Sequence, residues 1–398
     1  MATIDTQGRC PVCESARIHD FLEIGEIPVT VGMLCTTRED ALKAAKGNLK
    51  LSVCADCTYI WNRAYESGKH EYVLGYEISL HYSTVYQQFL EGLANRLIQD
   101  YQLQGKTILE IACGTGHFLR MLCRMGKNNG IGIDPVVERP GTEESGSNSI
   151  TFIRDKFSEK YQDLECDFIC CRQAIHAIEN PKRIVQLVRQ VIGENRKIPV
   201  YFEVVNGALI FSRQSIWQLI YEYYSFFTPE ALTRLFSVCG FDVIAARPCY
   251  EDDQYLQIEA NPARESRRSL AQSSANGSSI LKDVETFSKG LRQKIGEWQV
   301  QLERIEKSGK RAIAWGAGGR GINFLNLVQA SRSIPYIVDI NPSRQGGYVP
   351  GTGQQVVAPN FLQEYRPDVV VVTNPTYVKE VRQDVEKMGL HCDFLSAS

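Results

Sequence analysis

A strand, a glycine turn and the start of a helix follow one another in residues 108–119, which read ILEIACGTGHFL. The apolar residues before the turn predict a buried strand, and Gly114 and Gly116 allow the backbone to turn tightly and approach a ligand. A second stretch of the same form, AIAWGAGGRGINFL, occupies residues 312–325. Two such units in one chain predict an α/β fold with two doubly wound parallel sheets.

The length and charge of the chain indicate how many domains it has and which partners it is not expected to bind. With 398 residues it is too long for one ordinary core, so we expect two or three domains. A net charge of -2 without a basic stripe argues against a nucleic-acid partner. Because the sequence has neither an apolar run of about 20 residues nor a signal pattern, we expect no membrane partner and a cytoplasmic location.

Four of the 13 cysteines form two C-x-x-C pairs, CPVC and CADC. In a reducing compartment this doubled spacing is typical of a zinc site with four thiolate ligands, rather than of disulfides. Four thiolates leave no open position for water, so the zinc is expected to be structural. The alternative is four buried or free thiols. The predicted ligands are Cys10, Cys13, Cys54 and Cys57.

Acidic residues follow the first glycine turn at the ends of the next two predicted strands. Asp134 lies about twenty residues after the glycines, where a carboxylate can accept both hydroxyls of an adenosine ribose. Asp155 and Phe157 end the strand after that. The turn has neither a Gly-x-Gly-x-x-Gly spacing nor a Walker lysine, which argues against a phosphate-binding loop. A Rossmann-type domain for another nucleotide remains the alternative.

The second glycine turn has the spacing of a dinucleotide fingerprint. Gly316, Gly318 and Gly321 form Gly-x-Gly-x-x-Gly, and Asp339 follows at a distance that suits a ribose. Taken alone, this unit favours an oxidoreductase or epimerase that uses a nicotinamide cofactor. No Tyr-x-x-x-Lys or cysteine–histidine arrangement accompanies it in the sequence. A polar stretch at residues 264–279 predicts a linker before a long amphipathic helix at residues 280–306.

The order of these parts resembles the sugar C-methyltransferase family over nearly the whole chain. The similar blocks are CPVCES and LSVCADCTYIW at the front, EIACGTG in the middle, and WGAGGRGINFLN and PDVVVVTNPTYVKEV near the end. The resemblance implies a zinc-binding domain at residues 1–70 and a class I S-adenosylmethionine methyltransferase domain at residues 71–260. It also implies a Rossmann-like C-terminal domain at residues 261–398, which closes over the methyltransferase domain and helps to hold a small-molecule acceptor.

The resemblance also implies where S-adenosylmethionine binds. Glu110 would begin the loop, the two glycines would approach the methionine part, and Asp134 would take the ribose. Asp155 and Phe157 would meet the adenine. The residues expected to bind the donor are Glu110, Ala112, Gly114, Gly116, Phe118, Asp134, Pro135, Asp155, Lys156, Phe157 and Arg172.

The chain departs from the family at the segments that hold its catalytic histidines. In RQAIHAI, Gln173 and Ala177 stand in the two histidine places, and His176 lies one place before the second. In LIYEYYSFF, tyrosines stand where histidines are expected and the glutamate is retained. His176 could act in proton transfer or pack locally, and the glutamate could be buried or a surface charge. The expected catalytic residues are His176, Glu222, Tyr76, Tyr221 and Tyr223.

These observations favour a methyltransferase of secondary metabolism that acts on carbon in a natural product or a nucleotide-linked sugar. The alternatives are N- or O-methylation of a non-sugar small molecule, a nicotinamide-dependent enzyme, and a catalytically inactive binding module. A monomer or a homodimer is expected.

Overall fold

The computed structural model describes residues 8–69, 72, 74–76, 80–145, 148–194, 197–263, 277–330 and 333–397. Most of the predicted linker at residues 264–279 lies outside these ranges. Within the described residues the strands form three sheets of four, eight and five strands. None of the described helices is both long enough and apolar enough to cross a membrane.

The first sheet is antiparallel and carries the N-terminal cysteine pairs at one end. Its strand order is β1-β2-β3-β10, so a short strand from much later in the chain completes it. A short helix, α1, lies between β1 and β2. The elements are β1 (Ile18–Pro28), α1 (Arg38–Leu42), β2 (Lys46–Cys54), β3 (Ile60–Asn62) and β10 (Ser225–Phe226).

The second sheet is the α/β core that the first glycine turn predicts. Its strands are β4 (Thr107–Ile111), β5 (Asn129–Ile133), β6 (Gly141–Ser145), β7 (Asn148–Ile153), β8 (Phe168–Arg172), β9 (Val200–Val205), β11 (Phe241–Cys249) and β12 (Tyr255–Pro262). The order is β11-β12-β9-β8-β4-β5-β7-β6. Strands β7, β5, β4, β8 and β9 run parallel, and β12 runs antiparallel to both of its neighbours.

Helices pack on this sheet, and two of them form the crossovers from β4 to β5 and from β8 to β9. Helix α2 ends at Asp100, and β4, which begins at Thr107, is the buried strand predicted before the first glycine turn. The helices are α2 (Thr84–Asp100), α3 (His117–Gly126), α4 (Pro181–Ile192), α5 (Gly207–Ser212) and α6 (Pro229–Val238).

The third sheet is fully parallel, in the order β15-β14-β13-β16-β17. The long helix α7 leads into it and buries Phe287, Leu291, Trp298 and Leu302. The elements are α7 (Gly277–Lys307), β13 (Ala312–Trp315), α8 (Gly319–Leu327), β14 (Tyr336–Val338), β15 (Gln355–Val357), α9 (Phe361–Tyr365), β16 (Val369–Val372), α10 (Val378–Lys387) and β17 (Asp393–Ser396).

One hydrophobic core joins the first and third sheets through the segment between α5 and β10. It combines Leu49 and Leu51 of β2 with Trp217, Phe324 and the apolar face of α7. The indole of Trp217 meets the ring of Phe324 edge to face at 4.9 Å. This shared core fixes the C-terminal sheet against the N-terminal sheet and beside the carboxyl ends of the central strands.

Candidate functional site

The first glycine turn leaves an open concave backbone at the carboxyl end of β4. Ala112, Gly114 and Gly116 all have positive φ angles, of 55°, 55° and 81°. A β-carbon on Gly114 would meet open space, whereas one on Gly116 would strike the ring of Phe152. Only glycine fits at position 116, and the space at Gly114 is available to a ligand.

Asp134, at the end of β5, holds this turn in place. Its Oδ2 accepts a hydrogen bond from the Gly114 N–H at 2.9 Å, and its Oδ1 accepts one from the Val136 N–H at 2.8 Å. The carboxyl group is buried, and burial raises its pKa above the ordinary value. The predicted acid therefore lies directly against the predicted glycine, with Pro135 beside it on a half-buried loop.

Two buried polar atoms beside the turn lack partners among the described residues. They are Oε2 of Glu110 and Nε of Arg172, at the ends of β4 and β8. Burial raises the pKa of Glu110 to about 8, although the nearby Arg172 lowers it. The Arg172 guanidinium lies 4.4 Å from the centre of the Phe118 ring. Both atoms require a partner that the described protein residues do not provide.

Glu203, in the second half of β9, binds the other side of Arg172. Its Oε1 accepts hydrogen bonds from Arg172 Nη2 at 2.8 Å and from Gln173 Nε2 at 2.9 Å. Its Oε2 accepts one from the Tyr201 hydroxyl at 3.1 Å. Glu203 is fully buried, so these bonds compensate for the loss of water around its charge.

The end of β7 carries the residues expected to meet an adenine. The Asp155 carboxylate accepts hydrogen bonds from the Lys156 N–H at 2.7 Å and from the Tyr161 hydroxyl at 2.8 Å, and it pairs with Lys160. The ring of Phe157 lies parallel to that of Tyr161, with centroids 6.2 Å apart. The side chain of Lys156 is exposed.

His176 lies in a single turn of 3-10 helix that follows β8. Its ring is 2% exposed, and its Nδ1 has no hydrogen-bond partner in the described part of the chain. Burial lowers its pKa to about 3, so the imidazole is neutral near pH 7. The ring meets that of Tyr223 edge to face, at 87° and 4.6 Å between centroids.

Glu222 is buried, and its hydrogen bonds link residues 30–32 of the N-terminal part to the segment before β10. Its Oε1 accepts hydrogen bonds from the Val31 N–H at 2.7 Å, the Thr30 hydroxyl at 3.0 Å and the Gly32 N–H at 3.2 Å. Its Oε2 accepts one from the Tyr76 hydroxyl at 2.7 Å. Glu222 is therefore not a surface charge, and its contacts fit a positioning role better than proton transfer.

Tyr221 packs against the N-terminal part of the chain and not against His176. Its hydroxyl accepts a hydrogen bond from the Glu66 N–H at 2.9 Å, its ring stacks on Tyr65, and it fills the space over Gly47. The expectation that Tyr221 acts in catalysis gains no support from this position.

The C-terminal domain borders the region around His176 and Tyr223, called the cleft below, through Arg320, which the sequence does not mark as a candidate. Arg320, at the start of α8, donates to Asn374 Oδ1 at 2.9 Å and to Gln254 Oε1 at 2.7 Å. Nearby, the hydroxyls of Tyr250 and Tyr377 lie 2.5 Å apart. The one available signal in the sequence was the position of this arginine, inside the second glycine fingerprint and just after a strand, where ligands of α/β sheets usually bind.

The second glycine turn is filled by the protein itself. Asp339 repeats the geometry of the first site, since its Oδ2 accepts from the Ala317 N–H at 2.9 Å. Arg344 then occupies the turn, with Nη2 donating to the Ala317 carbonyl at 2.6 Å and to the Val31 carbonyl at 3.0 Å. A β-carbon on Gly319 would lie 2.5 Å from Ile220. The place where a pyrophosphate would sit on the helix start is thus packed with side chains.

The four N-terminal cysteines come together as their spacing predicts. Their sulfur atoms all lie within 4.8 Å of one another. Hydrogen bonding to the other three sulfurs, together with burial, raises the pKa of the Cys57 thiol. The remaining nine cysteines are dispersed, and none belongs to a comparable cluster among the described residues.

Comparison with known domain families identifies two parts of the chain. Residues 82–246 match a methyltransferase domain, and residues 254–391 match a C-methyltransferase C-terminal domain. No curated protein matches the chain.

Several solved methyltransferases resemble less than half of the chain. The 1,6-didemethyltoxoflavin-N1-methyltransferase of Burkholderia thailandensis, bound to S-adenosylhomocysteine, is 11% identical, with 45% of this chain and 81% of that one covered and a TM-score of 0.33. The CurJ carbon methyltransferase is 15% identical, with 46% and 56% covered and a TM-score of 0.32. The magnesium protoporphyrin IX methyltransferase of Synechocystis PCC 6803 is 14% identical, with 45% and 84% covered and a TM-score of 0.34.

The matching domains agree with the sheet order and with the position of the first glycine turn, which confirms the expected class I methyltransferase fold. The protein is therefore a methyltransferase, in which residues 82–246 form a methyltransferase domain and residues 254–391 form a C-methyltransferase C-terminal domain.

Proposed function

We propose that the protein transfers a methyl group from S-adenosylmethionine to a carbon atom of a small acceptor, a natural product or a nucleotide-linked sugar. The observation that carries this proposal is the neutral, buried His176, whose Nδ1 lacks a partner among the described residues. Methylation at carbon needs a base for the C–H proton, whereas many heteroatom acceptors need none. The C-methyltransferase C-terminal domain adds support.

The residues around the first turn fit the donor. The unpartnered Oε2 of Glu110 suits the methionine ammonium group, and Nε of Arg172 suits its carboxylate. The open space at Gly114 suits the methionine chain, and Asp134 suits the ribose. Ala112, Phe118 and Pro135 would line the pocket. Asp155, Lys156 and Phe157 would lie against the adenine.

The chemistry places a distinct demand on His176. S-adenosylmethionine supplies a methyl group on a sulfonium sulfur, and that sulfur keeps the bonding electron pair when the methyl group leaves. His176 Nδ1 would take the proton from a carbon beside a carbonyl, so that the electrons of the C–H bond form the new C–C bond. Because burial disfavours a charged imidazole, proton uptake needs a negative charge nearby, which the enolate provides.

Glu222, Tyr76 and Tyr223 would position this base and the acceptor. Glu222 holds the Tyr76 hydroxyl and the loop at residues 30–32, which borders the cleft. Tyr223 fixes the plane of the His176 ring by its edge contact. Tyr221 would act only by packing.

The cysteine cluster fits a structural zinc ion. Four sulfurs at mutual distances below 4.8 Å match the ligands of a tetrahedral thiolate site. A divalent cation would stabilise the thiolates, whose crowding and burial otherwise favour the protonated state at Cys57. No position would remain for water, so we assign this ion no part in methyl transfer.

The side chains of Arg344 and Ile220 at the second turn count against the nicotinamide alternative. Methylation of nitrogen or oxygen remains the competing outcome of the experiment that tests the proposal. The purified protein is incubated with S-adenosylmethionine carrying a 13C-labelled methyl group and with a panel of nucleotide-linked keto sugars and small ketones. The proposal expects a new carbon-bound methyl signal in the NMR spectrum that disappears with His176→Gln. Labelled methyl groups found only on nitrogen or oxygen would overturn it.

A further inference from the structure

Arg320 is a half-buried cation where the start of α8 contacts the residue before β12. Both of its recorded hydrogen-bond acceptors are neutral amide oxygens, those of Asn374 and Gln254. Gln254 is itself fixed by a bond to the Thr376 hydroxyl at 2.7 Å. The guanidinium is thus held in one orientation by both domains.

Arg320 differs from the other inward-facing arginines in lacking an acidic partner. Arg172 pairs with Glu203 at 2.8 Å, and Arg344 lies 3.9 Å from Asp339. Among the described residues, no carboxylate lies within ion-pair distance of Arg320. Burial lowers its pKa below the ordinary value, and the groups that interact most with its charge are tyrosines. A buried charge without a counter-ion is costly, and a ligand of opposite charge removes that cost.

Two of these tyrosines present hydroxyls that have no partner in the described ranges, those of Tyr223 and Tyr255. The other two, Tyr250 and Tyr377, use their hydroxyls on each other. The cleft therefore gathers a guanidinium and two hydroxyl donors, and the acceptors recorded for the guanidinium are the neutral amide oxygens of Asn374 and Gln254. Tyr223 also contacts His176, so the donors border the position proposed for the methyl acceptor.

We propose that Arg320, together with the hydroxyls of Tyr223 and Tyr255, binds an oxyanion of the methyl acceptor, either a carboxylate or a phosphate. This inference rests on the proposed function, because it takes the cleft beside His176 as the acceptor site. A guanidinium offers paired N–H donors that match the oxygens of either group. The protein would then select acceptors by charge and would orient them by this contact.

The test measures binding of three probes to the full-length protein saturated with S-adenosylhomocysteine. Benzoate and phenyl phosphate carry the two oxyanions, and benzamide is their neutral counterpart. We expect at least one anion to bind where benzamide does not, and the preferred anion identifies the group. Arg320→Gln should weaken that binding about tenfold or more, as loss of a charged hydrogen bond implies. Arg320→Lys should retain part of it, because it keeps the charge without the fork.

The control is Arg304→Gln, an exposed arginine near the end of α7, which should bind the anions like the wild type. Equal binding of the anions by wild type and Arg320→Gln, or no preference over benzamide, would overturn the oxyanion site. Affinity for S-adenosylhomocysteine is measured in parallel, and an unchanged value shows that Arg320→Gln is folded. If that variant does not fold, Arg320→Lys decides: the lysine variant should bind the preferred anion more weakly than the wild type, and equal binding by the two proteins would overturn the site. Failure of the wild type to bind S-adenosylhomocysteine would count against the proposed function alone, because probe binding needs no methyl transfer.

Discussion

The imidazole of His176 and the ring of Tyr223 meet edge to face, with centroids 4.6 Å apart. His176 follows β8 in the central sheet, and Tyr223 precedes β10, the strand that joins the N-terminal sheet. The contact therefore ties the proposed base to the junction of two sheets. It also gives the segment LIYEYYSFF a defined relation to the donor side of the cleft.

Replacement of the proposed base should separate chemistry from donor binding. His176→Gln keeps a polar side chain and removes the imidazole, so we expect the methyl-transfer rate to fall about 100-fold or more. S-adenosylhomocysteine affinity should remain within about twofold, because His176 is not among the residues proposed to bind the donor. Tyr223→Phe serves as the matched variant, since it keeps the ring edge contact and should lose less activity. A His176→Gln enzyme with nearly normal turnover would exclude the histidine as base.

Donor binding should depend on the ionisation of Glu110. Its pKa of about 8 means that most molecules carry a proton there at pH 7, whereas an ammonium ligand requires the carboxylate. Affinity for S-adenosylhomocysteine should therefore rise by up to about tenfold per pH unit from pH 6 and level off near 8. Calorimetry in buffers of different ionisation enthalpy should show proton release at pH 7. Glu110→Gln should bind more weakly and release none; a pH-independent wild type would contradict the assignment.

The carboxyl group of Glu110 should also make folding stability depend on pH, but in the opposite direction to donor affinity. Its folded-state pKa lies above the ordinary 4.5, so the folded protein holds the proton more tightly than the unfolded chain. The stabilisation from this group is complete below pH 4.5 and is lost as the pH rises through about 8. As the pH rises from 6 to 8, the melting temperature of Glu110→Gln should thus fall less than that of the wild type. Parallel melting curves of the two proteins check this, and identical slopes would contradict it.

Glu222 should matter for stability more than for proton transfer. In Glu222→Gln the amide nitrogen cannot accept a hydrogen bond from the Tyr76 hydroxyl. The loss of this buried hydrogen bond should cost about 1–3 kcal/mol of stability. The midpoint of thermal unfolding should fall, and residual activity should follow the folded fraction. Glu303→Gln, at an exposed position on α7, is the control. Loss of activity in a fully stable Glu222→Gln protein would instead assign the carboxylate a direct chemical role.

The N-terminal cluster should hold one zinc ion per chain, as four thiolates form one tetrahedral site. Elemental analysis of freshly purified protein should find about one equivalent. Cys57→Ser should lose the metal and unfold at a lower temperature, while Cys35→Ser, which lies outside the cluster, should keep both properties. Stoichiometric zinc in Cys57→Ser, or none in the wild type, would refute this site.

The parts of the site that depend on local spacing could be predicted from the sequence. The strand at residues 107–111, the turn at Gly114 and the acid at Asp134 are close in one folding unit, and their geometry follows from it. The same holds for the two cysteine pairs, since each knuckle is a short turn. The geometry that such local spacing produces does not depend on how the domains pack against one another.

The parts that depend on packing between distant segments could not be predicted. The placement of Tyr221 over Gly47 and the bonds from Val31 to Glu222 join segments about 170 to 190 residues apart. The insertion of Arg344 into the second glycine turn is also set by the docking of the N-terminal segment. The second glycine turn therefore has the spacing of a dinucleotide fingerprint, yet its binding position is filled by Arg344, a residue outside that spacing.

The central claim is that the first glycine turn binds the donor and the second binds no nucleotide. Asp134 and Asp339 have the same contacts to their turns, so Asp134→Asn and Asp339→Asn form a matched pair. The most direct measurement is calorimetric titration of the wild type and both variants with S-adenosylhomocysteine and with NAD. The account predicts one S-adenosylhomocysteine per chain, weakened only by Asp134→Asn, and no binding of NAD. Two equivalents per chain, binding of NAD, or equal weakening by Asp339→Asn would contradict it.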